Sequence, residues 1–199
     1  MSKIQEKLKE VEKTPFFTLS KPYLDFIGKG TLYNIIYILF AVVSLAIPFA
    51  FLVLCIREGI FSLPANYIIG FLLTWLVVLF AGWVGFQLWW DRKSKIRDIN
   101  NSEFVAIPMV SDIVQTFGEW IGTFMAIFGV GGGLLLALFG AGDILYTLGI
   151  DFAPISLMII GPASGLITII IFRLFAEMMR FIAALANNTK EIAANIKNK

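Results

Sequence analysis

The chain contains no histidine, a single cysteine and few charges, and each shortage closes off a class of function. Without histidine the commonest general base and metal ligand is missing, which excludes Ser-His hydrolysis and histidine-built metal centres within this chain. Cys55 alone can form no intrachain disulfide. Charged residues make up 15% of the sequence, against about 25% in ordinary soluble domains. The net charge of +2 is too small to suggest nucleic-acid binding, and in the tails basic residues alternate with acids instead of forming a patch. Neither enzyme chemistry nor a cofactor, metal or nucleic-acid partner is expected. A cleavable signal peptide is not expected either, because the first apolar run starts after about thirty mostly polar residues and is long enough to span a bilayer.

What the sequence does contain is apolar surface: 58% of residues are hydrophobic and the mean hydropathy is +0.83. Four stretches, Thr31–Cys55, Asn66–Trp90, Ile121–Gly142 and Ile155–Phe172, each approach the ~20 residues that a helix needs to cross a hydrocarbon core. Of the sixteen Lys and Arg residues only Arg57 falls in a segment that this reading places outside the cell. The positive-inside rule therefore puts both termini in the cytoplasm. The expected fold is an all-α integral membrane protein with four transmembrane helices, the fourth extending into the cytoplasm. Its parts are a cytoplasmic amphipathic segment (1–30), a first transmembrane hairpin (31–92), a loop and amphipathic lead-in (93–116), a second hairpin (117–172) and a helical tail (173–199).

Within the N-terminal segment, Ile4, Leu8 and Val11 form one apolar stripe among Lys and Glu. Pro48 should kink the first span, tolerable in lipid only where neighbours satisfy the freed carbonyl. The second span closes with Trp89-Trp90 and then Asp91-Arg92-Lys93, an aromatic belt with snorkelling cations. Pro108 interrupts the stretch Phe104–Val110, so a helix is expected to begin at Ser111 as its N-cap. Asp112, Gln115, Thr116 and Glu119 then fall on one face, with Ile113, Val114, Phe117 and Trp120 on the other. Asp112, Gln115 and Glu119 are a candidate pore lining or polar face. Both outer connections are short, so recognition is expected in the bilayer or the cytoplasm.

The third span carries a stripe of small residues, Gly118, Gly122, Ala126, Gly129, Gly133, Ala137 and Gly140, which fall within about a 100° sector of the helix. Small-xxx-small faces let membrane helices approach closely. Packing inside the chain, packing between subunits, and a pore lining or hinge all satisfy that pattern. The run Gly129–Gly133 leans toward a bend. In the fourth span Gly161-Pro162-Ala163-Ser164-Gly165 repeats the small spacing around a proline, which should kink the helix and free the carbonyl near Met158.

Beyond the fourth span Ile171, Phe175, Met178, Ile182, Leu185, Thr189, Ile192 and Ile196 step alternately by four and three, a heptad seam. Such a seam needs a partner: the same helix of a neighbouring subunit, the Ile4/Leu8/Val11 helix or the membrane surface. Arg173 and Glu177, one turn apart where the span exits, are expected to pair and snorkel. Gly140-Ala-Gly-Asp143 resembles the motif of intramembrane aspartyl proteases, but that chemistry needs a second carboxylate at similar depth and no other span holds an interior Asp.

From about Ser111 onward the amphipathic lead-in, the two spans, Arg173-x-x-x-Glu177 and the tail Asn-Asn-Thr-Lys-Glu-Ile (187–192) together resemble a family of small bacterial membrane proteins of unknown function. That resemblance implies a bacterial inner (cytoplasmic) membrane and carries no catalytic residues. The expected function is a non-enzymatic membrane scaffold or accessory subunit, a homo-oligomer or part of a larger complex, with membrane lipid as its other partner. The alternative is a homo-oligomeric ion or small-solute channel whose Asp112/Glu119 entry selects cations.

Overall fold

The computed structural model describes residues 31–95, 106–147 and 149–197; the Ile4/Leu8/Val11 segment and most of the loop after the second span lie outside them. Residues 37–199 make one body, and before it residues 31–36 are described as the first turns of a helix. Among the described residues there are helices and no strand, in the order α1 (Thr31–Arg57), α2 (Ala65–Lys95), α3 (Ala106–Ile127), a π-helical segment (Phe128–Gly132), α4 (Gly133–Leu138), α5 (Asp143–Thr147) and α6 (Pro154–Lys197). Four stretches, Leu32–Arg57, Ala65–Lys93, Ile107–Leu138 and Pro154–Lys190, are long and apolar enough to cross a membrane. Helix is the form such segments take, because hydrocarbon offers no partner for a backbone N–H or C=O outside the segment itself.

The bury-and-expose pattern along α1 shows what holds the bundle. Tyr37, Ala41, Ser44, Pro48, Phe51 and Cys55 are buried at alternating steps of four and three, while Leu39, Val42, Phe49 and Val53 face outward. Pro48 removes the donor for the Ser44 carbonyl, and α2 answers with Gly82. A Cβ on Gly82 would lie 2.7 Å from that oxygen, so a Gly82 Cα–H points at it in a weak C–H···O contact. Trp75 Nε1 donates to the Pro48 carbonyl at 3.0 Å, a second tie across the hairpin.

The third span begins earlier than the sequence suggests. Helix α3 starts at Ala106, with Pro108 in its first turn, where a missing N–H costs nothing. Ser111 is then inside the helix, fully buried, its hydroxyl donating to the Pro108 carbonyl at 2.7 Å. It is therefore not an N-cap. At the other end the Gly129–Gly133 run does not bend into a loop: it widens into one π turn and continues as α4. The stretch closes at Gly140, whose φ of +63° suits only glycine without strain. The Gly140 N–H bonds the Ala137 carbonyl and the Ala141 N–H bonds that of Leu136, a Schellman cap.

Helix α6 runs unbroken for 44 residues, roughly 66 Å, through Pro162. That length is about twice the 30 Å of a bilayer core. At the α5 end the core is a cluster of Phe51, Ile60, Phe71, Leu136, Leu145 and Leu157 drawn from every span.

Candidate functional site

Helices α3 and α6 meet through backbone. Gly118 lies under the Phe172 ring, Gly122 faces the Gly165 carbonyl, and a Cβ on Gly129 would stand 2.7 Å from the Gly161 Cα. Gly133 likewise touches the Pro154 carbonyl, at 2.6 Å from a built Cβ. These six glycines of the two stripes, Gly161 and Gly165 included, are buried, and the face they make is occupied within the chain. Ala126 and Ala137 are half-buried beside it. Gly140 is a correction: it is exposed, has nothing near it, and serves the helix cap described above rather than a packing face.

At the end of the bundle away from α5, the polar face of α3 gathers charges from three helices. Glu119 is buried, 7% exposed, and its carboxylate accepts four hydrogen bonds. Arg92 of α2 donates to Oε2. Gln115 Nε2 donates to Oε1 at 2.9 Å, and Arg173 of α6 adds Nε at 3.0 Å and Nη2 at 2.9 Å to the same oxygen. The network continues through the Gln115 Oε1, which accepts from Arg180 Nη2 at 2.8 Å; Arg180 also reaches Asp112 Oδ1 at 2.9 Å and Ser111 Oγ at 3.1 Å. Two carboxylates are thus held among three guanidiniums.

Depth explains the pairing. Nineteen residues separate Glu119 from Leu138 and likewise Arg173 from Pro154, each roughly 28 Å of helix, close to one hydrocarbon thickness. The two charges therefore sit level, at the far margin of the apolar layer. A carboxylate held only 7% exposed there calls for a compensating cation, since an unpaired charge taken out of water is costly. Two expectations are corrected by this geometry. Arg173 pairs with Glu119 across helices, leaving Glu177 exposed on the same helix. Asp112, Gln115 and Glu119 face the bundle and are bound to arginine, so they do not make an open acidic entry.

Just inside this knot lies an aromatic layer. Phe40 stacks on Trp89 with centroids 4.7 Å apart, and Trp120 approaches Trp89 edge-on at 6.0 Å. Phe117 bridges Phe40 to Phe172 at 5.6 and 5.9 Å. Lys93 lies 4.7 Å over the Trp90 ring, a cation–π contact at the same level.

Chemically, the knot is a clamp. Three donors converge on Glu119 Oε1 and one on Oε2, so the carboxylate ties α2 and α6 to α3. Among the described residues there is no group of three His, Cys, Asp or Glu side chains placed to hold a metal. Asp143, at the opposite end, accepts from the Tyr67 hydroxyl at 3.3 Å in the first turn of α5.

The outward face of α6 is the other functional candidate. Met178, Ile182, Leu185, Ile192 and Ile196 are all exposed, as are Ile171 and Phe175 before them. The opposite side of the helix is the one that packs: Ala176 and Ala183 are buried and Arg180 is in the knot. Sequence reasoning missed Arg92 and Arg180 as partners of the acidic face, having read them as topology signals. It also missed the small residues of α2, Gly82 and Gly85, although Phe71, Thr74, Val78, Gly85 and Trp89 carry a visible helical period. Comparison with protein-family models, curated proteins and solved structures returns no match.

Proposed function

We propose that the chain is a non-enzymatic, multi-pass membrane scaffold or accessory subunit that assembles through the outward face of α6. The observation that carries this reading is the division of labour in that helix. Its glycine side is occupied by α3, while Met178, Ile182, Leu185, Ile192 and Ile196 stand exposed at heptad spacing beyond the level of Arg173. Twenty-four residues of α6 follow Arg173, roughly 36 Å, too far to be bathed in the same hydrocarbon layer unless the helix lies along it. An apolar stripe of that length in water favours a partner.

In this reading the knot of Arg92, Arg173 and Arg180 marks the cytoplasmic boundary of a bacterial inner membrane, with both termini on that side. The channel alternative loses its motivation, because the acids meant to select cations are neutralised by arginine. Native mass spectrometry of the protein released gently from its own membrane tests the proposal. A fixed complex, of identical copies or with a larger membrane protein, is the expected result; a strictly monomeric, solitary chain would overturn it.

A further inference from the structure

Between the four spans, toward the α5 end, lies a cavity of about 420 Å³. Its walls are Ile47 and Phe51 of α1, Val78 of α2, Phe124 and Phe128 of the third span, and Leu157 of α6. Its one polar side chain, Ser164, directs its hydroxyl at the Ile160 and Gly161 carbonyls of its own helix. A water inside would find at most the Ser164 oxygen among the two to four polar partners it needs, and a polar solute would lose most of its hydration uncompensated.

The recess is built into the fold. The Gly129 and Gly161 backbones beside it are already in contact, so the π-helical segment and α6 cannot draw closer to close it. The π turn that begins at Phe128 shifts the helical register at that point and sets this ring in the wall. An unfilled space of this size forfeits dispersion contacts along all its walls.

Its mouth opens on the outer surface of the bundle. Ile160, on the rim, is 37% exposed, and Phe152, which lines the cavity from the connection before α6, is 48% exposed. Leu157 and Ser164 stand three and ten residues into α6, roughly 5–15 Å along a span, so the opening lies in the leaflet nearer α5. The medium at that opening is lipid tail. We propose that the cavity is a binding site for one acyl chain of a membrane phospholipid, entering from that leaflet with its headgroup left at the surface. The site is independent of the association through α6.

The test is photolabelling in nanodiscs made with a phosphatidylcholine that carries a mid-chain diazirine, with adducts mapped by residue. Labelling of Met125, Phe128 and Leu157 is expected to exceed that of the outward-facing Ile159, Leu166 and Ile167 several-fold. Val78→Phe, which fills the cavity, and Ile160→Trp, which plugs its half-exposed mouth without touching the buried wall, should each bring cavity labelling down to the level of the outward face. Equal labelling of cavity and outward face in the unaltered protein would overturn the proposal. So would an enrichment that Ile160→Trp leaves unchanged, and this variant remains informative if Val78→Phe fails to fold.

Discussion

The two ends of the bundle are held by different means. At the α5 end the contacts are apolar: Phe51, Ile60, Phe71 and Leu145 pack together under a Schellman cap, and polar ties are few, among them Asn66 Nδ2 to the Phe139 carbonyl at 2.9 Å. At the opposite end α2, α3 and α6 are joined by charge-assisted hydrogen bonds around Glu119. Apolar contact distinguishes poorly between a neighbouring helix and lipid tails, which are equally apolar. A buried ion pair distinguishes sharply, because only the correct helices bring the counter-charge. The glycine contacts fix how closely and in what register α3 and α6 pack, and the knot adds the charged tie that brings α2 to them, while the apolar end contributes packing.

Breaking the knot should have the largest effect. Glu119→Ala leaves Arg92 and Arg173 facing each other without their acid, and because both arginines keep some contact with water it is expected to destabilise by about 2–3 kcal/mol, the upper part of the range for bonds to a charged group. The shift of the unfolding midpoint in a denaturing-detergent titration measures it. Arg173→Ala takes two of the four donors from Glu119 but leaves Arg92 and Gln115, and since Arg173 is half-exposed the loss should fall near 1.5 kcal/mol, the low end for a bond to a charged group. At the other end Gly140→Ala puts a side chain at φ +63° and should cost about 1 kcal/mol. Asn66→Ala, which removes an exposed hydrogen bond, should cost about 0.5 kcal/mol in the same titration. If Glu119→Ala proves no more damaging than Asn66→Ala, the two ends are held alike and the contrast is wrong.

How far the sequence could be read follows from whether a feature is local. Four spans are legible because hydrocarbon thickness sets a length that any apolar run can be measured against. The polar face of Asp112, Gln115 and Glu119 is legible because the helical period alone puts the three together. Their partners are not: Arg92 lies 27 residues from Glu119, and Arg180 lies 65 from Gln115 and 68 from Asp112, and cross-helix register decides that they meet. Reading Arg173 with Glu177 failed for an energetic reason. An exposed pair one turn apart is worth about 0.2–0.5 kcal/mol, far less than the demand of a buried Glu119 for a cation. Pro108 misled in the same way, as a breaker inside a helix is harmless in its first turn. Gly140 shared the spacing of the glycine stripe, and only its positive φ separates the cap from the packing face.

The central claim is that α6 has two faces with different partners, one inside the chain and one outside. Single cysteines along α6 in a Cys55→Ala background, each carrying a photo-reactive benzophenone, report both faces in the native membrane. Positions 178, 182 and 185 are expected to crosslink to another polypeptide, whereas 176 and 183 should give only adducts within the chain. Crosslinks between chains spread evenly around the helix, or absent from 178, 182 and 185, would contradict the account.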